Sequence, residues 1–114
     1  EFDRYSRFQG TCQAYWDEGC HDMSINTDAP VVAAEELPLQ AAMAVRLGLS
    51  YEQALLAVTL VPARQIGIQD QVGSLSSGKD ADFVVTRGDP LDPRCPPERV
   101  YIEGKQVYQS GDVK

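Results

Sequence analysis

The sequence predicts an α+β chain that is helical first and β last. Three observations carry this. Residues 35–67 place apolar side chains at helical spacing, interrupted only near Gly48 and Pro62. Residues 72–108 hold short apolar runs separated by turn residues. No alternation of strand and helix is visible that would build a parallel sheet.

Each element has a local reason. Gln13 to Cys20 suits a short helix that stops at Gly19. Met23-Ser24-Ile25-Asn26-Thr27 alternates apolar and polar residues and predicts a short strand, ended by Asp28-Ala29-Pro30. The first long helix runs from Glu35 to Leu47, with Glu35 and Glu36 at the positive end of the helix dipole and Pro38 in the first turn. Leu39, Ala42, Met43, Arg46 and Leu47 share one face, and Ala41, Ala44 and Val45 the adjoining one. Gly48 ends it. Ser50 and Gln53 form a capping box that starts a helix over Tyr51 to Leu60. Pro62 then fits the first position of a third helix, closed by Gly67.

The β part begins with an extended Val72-Gly73-Ser74-Leu75 and a turn over 76–80. Asp82 to Thr86 is a strand with apolar residues on both faces. A loop with four prolines follows. A hairpin then turns at Glu103-Gly104, with Ile102 facing Lys105 and Val100 facing Val107.

Composition bounds function. The chain has 114 residues, enough for one domain with a real core. The 17 acidic against 10 basic residues give a net charge of −7, which argues against binding nucleic-acid phosphates or anionic membranes. Three cysteines, Cys12, Cys20 and Cys95, cannot all pair, so they read as reduced thiols. There is no signal peptide and no membrane-spanning run, so a cytoplasmic location is expected. The chain opens on Glu1 rather than Met, and a piece of something longer fits that start. One histidine, His21, is too few for a self-contained zinc hydrolase. A Cys12/Cys20/His21 metal site lacks a fourth ligand and any standard spacing.

Three segments together resemble the C-terminal end of the amidohydrolase superfamily, in its imidazolonepropionase-like branch. The first is Ile25-Asn26-Thr27-Asp28-Ala29-Pro30. The second runs from Glu52-Gln53-Ala54-Leu55 through Val58-Thr59 to Pro62-Ala63-Arg64. The third joins Val72 to Leu75, Gly78 to Val85, Gly88-Asp89-Pro90 and the Glu103-Gly104-Lys105 turn. Each is weak alone; their order and spacing are specific.

The resemblance implies residues 1–68 as the last strand and C-terminal helices of a (β/α)₈ metal-dependent hydrolase barrel. It implies residues 69–114 as the C-terminal part of a small β-sandwich beside it. It implies hydrolysis of C–N bonds other than peptide bonds in a small-molecule substrate, by a metal-activated water, with zinc as the expected divalent ion. Asp28 matches the aspartate at the end of the eighth strand, and so carries both the catalytic and the metal-binding expectation. Strand ends are where barrel enzymes keep catalytic residues. Asn26 and Thr27 read as supporting residues.

The sequence departs from the family pattern decisively. A His-x-His pair, a bridging lysine and two later histidines are absent, and His21 cannot replace them. A full barrel needs about 250 residues. The expectation is therefore a fragment of a longer amidohydrolase, which alone holds no metal and is inactive. It is also expected to self-associate through exposed sheet edges. The alternatives are a non-catalytic β-rich interaction module and a small acidic binding protein. Among the other polar residues, Asp80 and Asp82 read as a turn cap and solvated face. Lys79 is not part of a phosphate loop, because the G-x-x-x-x-G-K-[ST] frame is missing. His21 reads as a surface residue, and Tyr15 and Trp16 as core.

Overall fold

The computed structural model describes residues 10–111. It is an α+β structure of four α-helices followed by three antiparallel strands: α1 (Thr11–Asp17), α2 (Leu37–Arg46), α3 (Tyr51–Leu56), α4 (Leu60–Gln65), β1 (Phe83–Thr86), β2 (Pro97–Ile102) and β3 (Lys105–Gln109). The sheet order is β1-β2-β3.

Three helix ends form as expected, by one hydrogen-bond pattern. After α1, the amides of Gly19 and Cys20 donate to the carbonyls of Trp16 and Tyr15; after α2, those of Gly48 and Leu49 donate to Val45 and Ala44; after α4, those of Gly67 and Ile68 donate to Arg64 and Ala63. Each pair satisfies two carbonyls that a helix end leaves unpaired. At α2 the reversal also drives Leu49 into the core, where it is 4% exposed.

Ser50 caps α3, its hydroxyl accepting from the Gln53 amide at 3.2 Å. The Gln53 side chain does not close the box; it lines a small cavity with Cys12, Trp16 and His21. The helix is also shorter than its pattern suggests. The Thr59 hydroxyl donates to the Leu55 carbonyl at 2.7 Å, and that competition with the backbone ladder ends α3 at Leu56. The chain restarts as α4 at Leu60, so Pro62 lies third in that helix rather than first. It is tolerated there because the first-turn amides have no partner within the helix.

An expected strand and an expected extended piece join no sheet among the described residues. Residues 23–27 have no regular structure; the Ile25 amide donates instead to the Ala57 carbonyl at 2.9 Å. Residues 72–75 bend rather than extend. Gly73 has φ +95°, and a β-carbon there would stand 2.8 Å from that of Ala63 and 3.1 Å from the Leu60 α-carbon. Close packing on α4, which only glycine permits, overrides the expected extended conformation.

The hairpin keeps its turn but not its full register. Glu103 and Gly104 both have positive φ, as a two-residue primed turn requires, and Ile102 faces Lys105. A bulge then sets Val100 opposite Tyr108, not Val107. Asp82 proves to be the turn cap, accepting from the Glu103 amide at 2.8 Å, while the Gly104 amide donates to the Ala81 carbonyl. Phe83 and Tyr101, paired across β1 and β2, stack with centroids 4.6 Å apart.

The buried residues are mostly small: Ala41, Ala44, Ala54, Ala57 and Ala63 with Leu49, Val61 and Leu91. Alanines let the helices approach closely, so α2 buries its Ala41/Ala44 side and leaves Leu39 and Met43 about 40% exposed. Leu91, from the proline-rich loop, joins Ala41, Ala44, Leu49 and Ala54 in one cluster. Val31, Ile66 and Leu75 are each more than 70% exposed. Trp16 packs against the core cluster, whereas Tyr15 is 58% exposed and not core.

Candidate functional site

Asp28 lies in the turn that follows residues 23–27. The segment is anchored to the end of α3 by the Ile25–Ala57 hydrogen bond. The turn is closed by two more: the Val31 amide donates to the Asp28 carbonyl at 2.9 Å, and the Val32 amide to the Thr27 carbonyl at 3.2 Å. Asp28 itself has φ +50°. That left-handed conformation costs a residue with a β-carbon roughly 1–2 kcal/mol. It is offset locally, because the Asn26 side-chain oxygen accepts the Asp28 amide hydrogen at 2.9 Å. The carboxylate is exposed. It thus stands at the surface of a tight turn, able to accept a proton or to meet a cation.

The rest of the candidate chemistry does not gather around it. His21 is exposed and stacks on Trp16 with centroids 4.1 Å apart, its Nε2 lying 3.1 Å from the Trp16 carbonyl. Cys12, Cys20 and Cys95 are free thiols. Among the described residues no three His, Cys, Asp or Glu side chains come together as a metal site. A zinc ion takes about four donors. Among the described residues fewer than three such donors come together in any one place, so they do not by themselves fit a metal.

A second polar junction escaped the sequence reading. The Tyr51 hydroxyl donates to Asp89 Oδ1 at 2.6 Å, and the same oxygen accepts from the Leu91 amide at 2.9 Å. The hydrogen bond donated to Asp89, then burial and the Asp89 charge, raise the Tyr51 phenol above its ordinary pKa. Ala42, Val45, Arg46 and Leu91 complete an open depression there. Only the turn-like Gly88-Asp89-Pro90 hinted at it, and nothing local points to Tyr51 as its partner.

The profile of the Amidohydrolase family matches residues 11–107. The chain belongs to the amidohydrolase family. It is 37% identical over 93 residues to amidohydrolase tasK of Hapsidospora irregularis, covering 82% of this chain and 9% of that protein. It is 43% identical over 66 residues to the N-acetylglucosamine-6-phosphate deacetylase of Mus musculus, covering 58% and 15%. A stretch of 37 residues is 54% identical to an imidazolonepropionase of Erwinia tasmaniensis, covering 32% and 9%. Among solved structures it is similar to an amidohydrolase from Thermotoga maritima MSB8, with a TM-score of 0.70 and 44% identity, covering 72% of this chain and 21% of that one. The chain therefore spans about a tenth to a fifth of the length of these proteins. No described helix is long and apolar enough to cross a membrane.

Proposed function

We propose that this chain is the C-terminal portion of a hydrolase that cleaves C–N bonds other than peptide bonds in small molecules. The observation that carries the reading is the family match over residues 11–107, within which Asp28 stands exposed at the tip of a hydrogen-bonded turn. The deacetylase relatives support the bond type, since their name describes removal of an acetyl group from an amino sugar.

In this reading residues 1–68 close a (β/α)₈ barrel and residues 69–114 complete a small β-sandwich. Asp28 is the reacting carboxylate: it accepts a proton as water adds to the acyl carbon and returns one to the leaving amine. It also contributes a donor to a divalent metal ion, zinc by preference, whose other donors come from elsewhere in the polypeptide. The isolated chain is inactive, and its exposed sheet edges favour self-association. The protein works in the cytoplasm and does not bind nucleic acid.

The test uses the full polypeptide that carries this chain, prepared with zinc. Amine release is measured from a panel of N-acylated amino sugars and cyclic amides, beginning with N-acetylglucosamine-6-phosphate. Asp28→Asn should lower kcat by about 10²–10⁴-fold, the usual contribution of a positioned acid–base group. Undiminished turnover in that variant, or no amine from any substrate, would overturn the reading.

A further inference from the structure

The geometry around Asp28 carries one step more. The residue sits at φ +50°, where a side chain other than glycine's needs local support. The hydrogen bonds between Val31 and Asp28 and between Val32 and Thr27 hold the far side of the turn. On the near side the Asp28 amide has one acceptor, the side-chain oxygen of Asn26, at 2.9 Å. This oxygen is neutral, so it fixes the backbone without setting a second negative charge beside the carboxylate. Asparagine is also the residue type best suited to accept from an amide two positions ahead.

We propose that Asn26 is a positioning residue for Asp28: by accepting the Asp28 amide it fixes the left-handed backbone from which the carboxylate projects. The inference rests on the reading of Asp28 as the reacting group. Asn26 does not touch substrate in this scheme. It acts by narrowing the directions the Asp28 side chain can take, and so by limiting the fraction of molecules poised to react.

The experiment uses the full polypeptide and the substrate turned over above. Asn26→Ala should lower kcat by about 10–100-fold, the usual cost of losing a group that orients a catalytic ligand. KM should stay within about twofold, because the loss falls on the reacting state and not on binding. Asn26→Gln keeps the amide but displaces its oxygen by one methylene, and should lose as much. Asn26→Ser restores an acceptor for the same amide and should recover most of the loss.

Hydrogen exchange at the Asp28 amide supplies a readout that does not depend on turnover. It should quicken about tenfold in Asn26→Ala and Asn26→Gln, and slow again in Asn26→Ser. On an Asp28→Asn background, Asn26→Ala should change kcat by less than about twofold, since the residue it positions is already disabled. Unchanged kcat and exchange in both Asn26→Ala and Asn26→Gln would overturn the proposal, as would a full-sized loss on the Asp28→Asn background. If Asp28→Asn leaves turnover intact, the reading of Asp28 fails and this inference falls with it. If Asp28→Asn abolishes turnover while Asn26→Ala and Asn26→Gln do not alter it, this inference alone fails.

Discussion

The Tyr51 hydroxyl donates to Asp89 Oδ1 across 38 positions of sequence, at 2.6 Å. Tyr51 opens α3 and Asp89 lies in the loop between β1 and β2, so the bond ties the helical part of the chain to the β part. The same Asp89 oxygen holds the Leu91 amide and so sets the bend that buries Leu91 against Ala41, Ala44 and Ala54. Among the described residues, no other side-chain hydrogen bond is seen between these two parts of the chain.

Removing the two partners should therefore cost different amounts. Tyr51→Phe deletes one hydrogen bond at a position 40% exposed, and should cost about 1 kcal/mol after allowing for solvent. Asp89→Ala deletes both and leaves the half-buried Leu91 amide without its acceptor, which should cost about 2–3 kcal/mol. Urea unfolding measures both. Equal losses would mean that Asp89 does not organise the Leu91 bend.

Ser50 should matter more than its exposure suggests. Its hydroxyl caps the amide of Gln53, and α3 is only six residues long, with little helix to absorb a lost cap. Ser50→Ala should destabilise by about 1 kcal/mol, and Ser50→Asp, which keeps an acceptor and adds charge at the positive helix end, should lose less. The midpoint of thermal unfolding reports the order of the two variants.

What the sequence made legible was chiefly local chemistry. Ser50, Gly19, Gly48 and Gly67 act within a few residues of themselves, and each marks a helix end where its type alone predicts one. Asp82 was readable as a turn cap, but the turn it caps, at Glu103, lies 21 positions away and nothing local names it. The misreadings arose where distant packing decides. The extended piece expected over 72–75 gives way because Gly73 presses on α4, and the hairpin register shifts at a bulge no pattern announces. Tyr51 and Asp89 could not be paired from periodicity at all. Asp28 is a different case. Nothing in its local pattern separates it from an ordinary polar turn, and only the ordered motifs of the family resemblance singled it out. The turn that supports it was equally hidden, since Asn26 was legible only as a supporting residue, not as the acceptor of the Asp28 amide.

Two glycines with similar backbone angles should respond differently to alanine. Gly73 and Gly78 have φ +95° and +90°, so both pay for a left-handed alanine, about 1–2 kcal/mol. At Gly78 nothing lies within 4 Å of an added β-carbon, and the cost should end there. At Gly73 that carbon would meet Ala63 at 2.8 Å and the Thr59 carbonyl oxygen at 3.2 Å. The loop must lift from α4, adding about 1–3 kcal/mol of overpacking. Urea midpoints of Gly73→Ala and Gly78→Ala decide it, and an equal shift would count against the close approach of this loop to α4.

Asp92 accepts from three donors of its neighbour Arg94: the backbone amide at 2.8 Å, Nε at 3.0 Å to one oxygen and 3.2 Å to the other, and Nη2 at 2.8 Å. The guanidinium hydrogen bonds, and then the amide, lower the Asp92 carboxyl to about 2. A carboxyl depressed on folding favours the folded loop when ionised. Its contribution is therefore complete above the unfolded carboxylate range near 3.9, and is lost as pH falls through about 2. The side-chain carboxyl carbon of Asp92, followed by NMR, should titrate at that low value. In Arg94→Gln the guanidinium is gone, and the midpoint should climb back toward the ordinary range while the backbone amide keeps part of the depression. A wild-type midpoint near 3.9 would show that Arg94 does not hold Asp92 in solution.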